Sequence, residues 1–591
     1  MKKTLLAAFA LLLPAALFAQ EEWTNVELTD AGTLETTLGE SKYSVTKLKV
    51  SGPLNGTDIA TLRDVCGVKG ISTKTDGKVT ELDLTDANIV AGGDAYMTVY
   101  GIQQRTETDV LGDYAFLNLP CTSIALPANL KALGAQSLAG CTNLLEINLP
   151  ATLERIGLGC FINCIKVKEM VLPDNVKEIG DGLFQRMDGL KSVNMGEGID
   201  SIPNSTFLMA NNLEDVNIGC ATRFDAIIFF NTSGLKNIYC SDNNTAFASE
   251  DGILYSKDKS VLISYTPGRE AFAYEVPSFV KKLGKRSFMY SALEEVTIPG
   301  NVEEIGEDAF CNNANLTSIN LNEGLRTLRL GAFSSCTALS EIMLPASLET
   351  IEGAVFFNCS SLSSIGIDET NPYFVTKDGI LYSRDLKRFI CLPSGMPVED
   401  FTIPESVETM EAYCCSGHAS LVTVIVPKNV TTIGENAFSY CPNMIGCVIE
   451  ENVDSIGQTI FAGSVKMENL FMLAKTPAKH VHQLGIYSDE LYDRGMLYVP
   501  QESLDLYKEQ YWVVYREDGV SDNVVKTIKG MTDAEIAELR GEDPETGIAT
   551  PAKQQAGPTK AYDLQGRRLT NLTKGLQIIT LPDGTSKKVI R

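Results

Sequence analysis

Fifteen cysteines, three histidines and 75 acidic residues are the groups that could carry chemistry in this chain of 591 residues. His418, His480 and His482 give a Ser–His or Cys–His nucleophile almost nothing to draw on. No glycine-rich phosphate loop, Gly-x-Ser-x-Gly elbow or His-Glu-x-x-His occurs. With so many acids, paired carboxylates are expected by number alone, so they neither indicate nor exclude glycoside hydrolysis. No Cys-x-x-Cys pairing supports a metal centre. The expectation is a non-enzyme, with no catalytic, cofactor-binding or metal-ligating residues and no cofactor.

The cysteines are informative through their spacing. Cys141, Cys164, Cys336, Cys359 and Cys441 each stand at one position of a 23-residue period, with Asn313, His418 and Met187 there in other blocks. A slot that accepts Cys, Asn or Met is a small buried site where Cys acts as a compact hydrophobe, so free thiols are expected. Cys160 and the pair Cys414–Cys415 fall off this ladder and are the candidates for other behaviour.

The elements that position these residues follow from the same period. Pro127, Pro150 and Pro173 are evenly spaced, as are Pro404 and Pro427. After Pro345 the apolar residues are Leu348, Ile351, Phe356, Cys359, Leu362, Ile365 and Ile367; after Pro127 they are Leu130, Leu133, Leu138, Cys141, Leu144, Ile147 and Leu149. A Leu- and Ile-rich repeat of this length predicts a leucine-rich-repeat solenoid of the α/β class, in which stacked coils share one core. The segment Leu-x-x-Ile-x-Leu before each proline slot is the expected strand.

Around that repeat the chain reads as follows. Residues 1–19 resemble a secretory signal peptide, with Lys2 and Lys3 before an apolar stretch. Residues 20–105 form an N-terminal cap, with strands at Lys47–Val50 and Val79–Leu84 and a helix capped by Thr57 or Asp58. The solenoid spans 106–472. Two β-hairpin inserts, about 243–276 and 369–403, carry the same Asp-Gly-Ile-Leu-Tyr-Ser at Asp251 and Asp378. A C-terminal cap covers 473–518, with Tyr487, Tyr492, Tyr498, Tyr507, Tyr511 and Trp512. A polar linker covers 519–560, in which Met531–Arg540 could be a short helix. A short β tail, with a turn at Pro582-Asp583-Gly584, closes the chain over 561–591.

The net charge is −25, and −27 once Lys2 and Lys3 leave with the signal (−25 − 2). Nucleic acid is therefore excluded as a partner, since phosphate binding needs clustered Lys and Arg. After the signal no segment is long and apolar enough to span a bilayer. Side chains alternate across each strand, so the outward ones line up in columns. One set is acidic, with Glu214, Asp215, Glu294, Glu295 and Glu341; a later set is apolar, with Val422, Ile425, Val448 and Phe471. These nine are the candidate ligand-binding residues, read either as a binding track or as a solvated face and a strip covered by the C-terminal cap.

The repeat Ile-Pro-x-x-Val-x-x-Ile-Gly-x-x-Ala-Phe-x-x-Cys-x-x-Leu, clearest over Val426–Met444 and Ile298–Leu316, resembles the BspA-like leucine-rich repeats of bacterial surface proteins. The Asp-Gly-Ile-Leu-Tyr-Ser inserts and Leu497-Tyr-Val-Pro share the likeness. The resemblance implies a secreted or cell-surface adhesin of a Bacteroidetes-type bacterium. It would be a monomer that binds an extracellular protein, either host matrix or plasma protein or a bacterial surface protein. A structural spacer and a glycan-binding or carbohydrate-active accessory are the alternatives. The end, Tyr562-Asp-Leu-Gln-Gly-Arg-Arg-Leu, is similar to C-terminal sorting tails of exported Bacteroidetes proteins, although Gln577 stands where those carry an aromatic.

Overall fold

Backbone hydrogen bonds link each coil to the next at the sequence period, and this sets the architecture. The structure, a computed structural model, describes residues 22–224, 226–229, 232–481, 494–509, 513–515, 521–523, 527–542, 561–562, 568–569, 576–580 and 586–590. The expected signal segment, Tyr487, Tyr492, Tyr511, Trp512, residues 543–560 and the turn at 582–584 lie outside the described residues. Two compact units are present, Met1–Thr232 and Ser233–Arg591. Their division falls inside the range 106–472 read as one solenoid, next to the irregular 3-10 turn Ala226–Phe229.

In the first unit, strands Thr24–Glu27, Lys47–Leu54, Glu81–Asp83, Ser123–Ala125 and Glu146–Asn148 form one parallel sheet in that order. The helix Gly56–Val65 crosses between its second and third strands. Its N-cap is Asn55, two residues before Thr57, and Asp58 is not the cap but the N3 partner that completes the capping box. Strands Glu169–Val171, Ser192–Asn194 and Asp215–Asn217 continue the pattern in a second sheet, with Ser192 opposite both Glu169 and Asp215. The break between the two sheets coincides with Glu146 and Glu169 falling in adjacent coils. Like charges directly opposite destabilise a sheet. Ile147, expected to point inward, is only half-buried there.

Each coil has a second strand that the sequence reading missed. Val110–Leu111, Ala132–Leu133, Arg155–Ile156 and Glu178–Ile179 form a parallel ladder of two-residue strands. The glycine after each is fixed by close approach: a Cβ on Gly157 would lie 2.5 Å from the Ala135 amide nitrogen. At the third corner alternate N–H groups donate forward, as from Phe116 to Ser137 (2.7 Å) and from Leu138 to Cys160 (3.1 Å). The repeat consists of strands and turns, and the α-helices of the described residues lie towards the chain's two ends.

The buried phenylalanines stack in register, with Phe161, Phe184, Phe207 and Phe229 spaced 6.1, 5.8 and 5.9 Å. Phe288, Phe310, Phe333 and Phe356 do the same in the second unit. These are stacked aromatic contacts within the core of each unit. The cysteine slot lies beside them and makes a bond of its own. Cys141 Sγ donates to the Phe116 carbonyl (3.2 Å), Cys336 to Phe310 (3.2 Å) and Cys359 to Phe333 (3.0 Å). In another coil Ser464 makes the same bond to Phe438 (2.7 Å). The slot therefore favours a small donor, and its cysteines are free thiols. Cys160, Cys414 and Cys415 are free as well.

The inserts of the second unit are three-stranded antiparallel meanders. Phe247–Glu250 pairs with Ile253–Ser256 and that with Val261–Ser264. Phe374–Lys377, Ile380–Ser383 and Arg388–Cys391 repeat the arrangement, with the bulge at the equivalent position. Asp251 and Asp378 have φ of 50° and 52° before glycines at 74° and 78°. Two successive residues with positive φ make a type I′ hairpin turn, which Asp-Gly serves. The third strand of each insert then runs parallel to the next coil and restarts the second ladder.

The carbonyls of the first coil that face its N-terminal side have no preceding coil to bond them. Tyr96 Oη donates to Asp113 (2.8 Å), and Arg63 Nη1 donates to Ala115 (2.9 Å) and Leu117 (3.1 Å). Arg63 Nη2 reaches Gly70 at 2.5 Å, and the residue is only 1% exposed. Burial lowers its pKa to about 10, so it stays charged at neutral pH.

Arg63→Ala is expected to cost the first unit about 3 kcal/mol, since it strands several buried acceptors; a urea unfolding curve shifted by under about 0.5 kcal/mol would contradict this capping role. His418 occupies the cysteine slot of its coil, fully buried, and burial lowers its pKa to about 4. Between an unfolded value near 6.5 and 4 the unfolded chain takes up a proton that the folded chain refuses. Stability should therefore be complete above pH 6.5 and fall by up to about 1.4 kcal/mol per unit below it. His418→Asn, the residue its slot holds at Asn313, should flatten that slope in thermal melts taken between pH 7 and 4.5.

Candidate functional site

Outward side chains on the parallel strands do form columns, because the register equals the repeat. In the first unit Asp215 stands opposite Ser192, and Glu214 pairs with Lys191 at 2.5 Å. Both acids are half-buried. In the second unit Glu295 stands opposite Ser318, and Glu341 opposite Ser364. Glu294, Glu295 and Glu341 are exposed. The serines separate the acids by two coils, about 10 Å at the usual strand spacing. That is close to the screening length in physiological salt, so the column holds its charge with little mutual repulsion.

The later, apolar set is placed differently from the open patch considered above. Strands Asp400–Thr402, Thr423–Val426, Gly446–Ile449, Asn469–Met472, Met496–Pro500 and Thr527–Met531 form one parallel sheet. Val448 and Phe471 on its face are 3% and 6% exposed. Phe471 stacks on Tyr498 at 4.5 Å, while Val422 and Ile425 are half-buried. The cover is Met531 with Ile536 and Leu539 of the helix Asp533–Arg540, which closes over Val448, Phe471 and Leu473. Arg540 Nε and Nη2 both bind the Glu450 carboxylate. Most of the cover thus comes from residues read as a linker, while 473–518 contributes Tyr498 and Leu473 to the same cluster. What the 473–518 segment adds is the sheet strand Met496–Pro500 and the helix Leu504–Glu509, whose Tyr507 Oη donates to the Ala474 carbonyl at 3.0 Å.

A third feature was not foreseen. Where the second insert enters, a cavity of about 50 Å³ opens between the coil Gly353–Phe357 and the coil Glu411–Ser416. Ile390, Cys391 and Leu392 of the insert form its floor. At its rim the Phe357 ring meets Tyr413 edge-on at 6.4 Å and Tyr440 at 5.6 Å. The sequence signal was the missing Ala-Phe-x-x-Cys between Ile367 and Pro404.

Ile536→Asp with Arg540→Ala should release the C-terminal helix and raise hydrogen exchange at Val448 and Phe471; unchanged protection at both would show that the helix is not their cover.

No helix among the described residues is long and apolar enough to cross a membrane. A search of curated proteins gives no match. Among solved structures the chain is similar to the pneumococcal vaccine antigen PcpA, at 16% identity over 62% of this chain and 89% of that one, with a TM-score of 0.34. It is also similar to a leucine-rich repeat protein from Bacteroides ovatus, at 18% identity over 64% of this chain and 85% of that one, with a TM-score of 0.30. A leucine-rich repeat protein of T. pallidum matches at 24% identity over 36% of this chain and 86% of that one, with a TM-score of 0.23. The family model for the BspA type leucine rich repeat region matches in six copies, over residues 109–249, 273–389 and 393–479. Together with the coil register, those matches over more than half of its length show that the chain belongs to the BspA-type leucine-rich-repeat family.

Proposed function

We propose that the protein is a secreted or cell-surface adhesin that recognises an extracellular protein, of host matrix or of another bacterial surface, through the strand face of the solenoid. Leucine-rich-repeat solenoids are typically binding scaffolds rather than enzymes. The observation that carries the reading is the recurrence of an exposed acid opposite a serine, Glu295 with Ser318 in one short sheet and Glu341 with Ser364 in the next. Exposed acids that recur along successive coils suit a partner with a complementary basic stripe, which electrostatics would steer and orient. The apolar strip at Val448 and Phe471 contributes stability in this reading, since the chain's own helix covers it. Of the nine residues first considered, this reading relies on the acids of the second unit, Glu294, Glu295 and Glu341.

Surface-immobilised protein should bind fibronectin, fibrinogen or mucin saturably, with affinity that falls as salt rises. Replacing Glu294, Glu295 and Glu341 together by serine should weaken the interaction about tenfold, mainly through the association rate. Saturable binding that is indifferent to both salt and this triple replacement would remove the acidic column from the mechanism, and no saturable binding at all would remove the adhesin.

A further inference from the structure

The cavity at the second insert lies where one rung of the backbone ladder is missing. In a regular pair of coils, Phe310 N–H donates to Ala332 O (2.8 Å) and Phe333 N–H to Val355 O (2.9 Å). By the same rule Ala354, Phe356 and Asn358 should donate to the coil ahead, but the meander replaces that coil's third corner. Among the described residues none of the three N–H groups has an acceptor. Across the cavity the equivalent acceptors are Ala412, Cys414 and Ser416. Leu392 N–H takes Cys414 O at 2.7 Å, and no described donor reaches Ala412 O or Ser416 O. Of these residues, Ala354 and Phe356 with unused N–H groups and Ala412 and Ser416 with unused carbonyls all line one space of about 50 Å³, together with Ile390 and Leu392.

Backbone groups without a protein partner are met by water or by a ligand, and such a pair of walls is complementary to one chemical group. That group accepts on one side, donates on the other and carries an apolar end. A secondary amide with a methyl does all three. Its oxygen takes the Ala354 and Phe356 N–H groups, its N–H gives to Ala412 O, and its methyl rests on Leu392. The rim states what carries the amide. Phe357 and Tyr413 are half-buried and Tyr440 is 57% exposed, which offers amphipathic ring faces beside the opening. Charge narrows the class further. Glu352 and Glu411 line the same cavity, and each is held by an arginine, Arg329 at 2.7 Å and Arg388 at 2.6 Å. Each pair is neutral overall, which suits an uncharged sugar.

We infer that this slot is a binding site for a neutral N-acetylhexosamine, with the acetamido group completing the missing rung and the pyranose ring lying against the aromatic rim. The site is separate from the acidic strand column, so it stands or falls independently of the protein partner proposed above.

The full chain is titrated calorimetrically with triacetylchitotriose, with cellotriose, which has a hydroxyl where the first has acetamido, and with a blocked triglycine peptide. Triacetylchitotriose should bind, cellotriose about tenfold or more weakly, and the peptide no better than cellotriose. Gly353→Ala tests the geometry. Its added Cβ would lie 3.4 Å from the Tyr413 ring and 3.6 Å from Ala412 Cβ, ordinary contacts that narrow the slot without strain. It should abolish acetamido-sugar binding with the thermal transition unchanged, and Tyr440→Ala, at an exposed side chain, should weaken it several-fold. Equal affinity for the two sugars, peptide binding tighter than sugar binding, no heat with triacetylchitotriose up to about 10 mM, or a Gly353→Ala or Tyr440→Ala chain that binds like the parent would each overturn the assignment.

Discussion

A coil in this fold cannot satisfy its own backbone. Each places N–H groups on one side and carbonyls on the other, and only a neighbour one period away completes them. The architecture can be understood as the set of ways in which those rows are closed. Inside a unit, identical coils close one another. At the start, a buried guanidinium and a tyrosine hydroxyl replace the missing coil. Towards the chain's end, Met496–Pro500 and Thr527–Met531 extend the sheet, and a helix then covers its face. At the second insert the closure is incomplete, and a cavity remains.

Much of this was readable from residue types. The inward positions of each block, the small polar-tolerant slot of the cysteines and the duplicated inserts follow from periodicity, because burial constrains side chains in the same way at every turn. The second ladder was not readable. A two-residue strand such as Arg155–Ile156 is too short for an alternating pattern, and its marker is a glycine whose role, clearance for the next backbone, depends on three-dimensional approach. The short helix of Met531–Arg540 was expected and is present as Asp533–Arg540, but its role as a cover was hidden by the polar composition around it. Only Met531, Ile536 and Leu539 are needed to seal the strip, too few to stand out in a hydropathy profile. The cavity was invisible for a different reason. It is lined by unused main-chain groups, which every residue possesses.

The acidic balance is tolerated through the same geometry. Lys131 meets Glu154 at 2.9 Å and Arg388 meets Glu411 at 2.6 Å, each pair one period apart. Such exposed pairs contribute little individually. Their effect is to place an opposite charge beside an acid that would otherwise face its own kind in the next coil. The serines of the strand column achieve the same result by dilution. A strongly negative chain can thus stack flat without concentrating its charge.

Near-identical coils also carry a hazard. A segment that matches its neighbour in shape and polarity matches the one beyond it almost as well, so pairing out of order is a close competitor during folding. The places where the pattern is broken discriminate against that error. An imidazole at His418, an amide at Asn313 and two meanders that fit only between particular coils act as address marks along an otherwise uniform stack. Smoothing those irregularities toward a consensus would strengthen each turn while erasing the information that tells one turn from another.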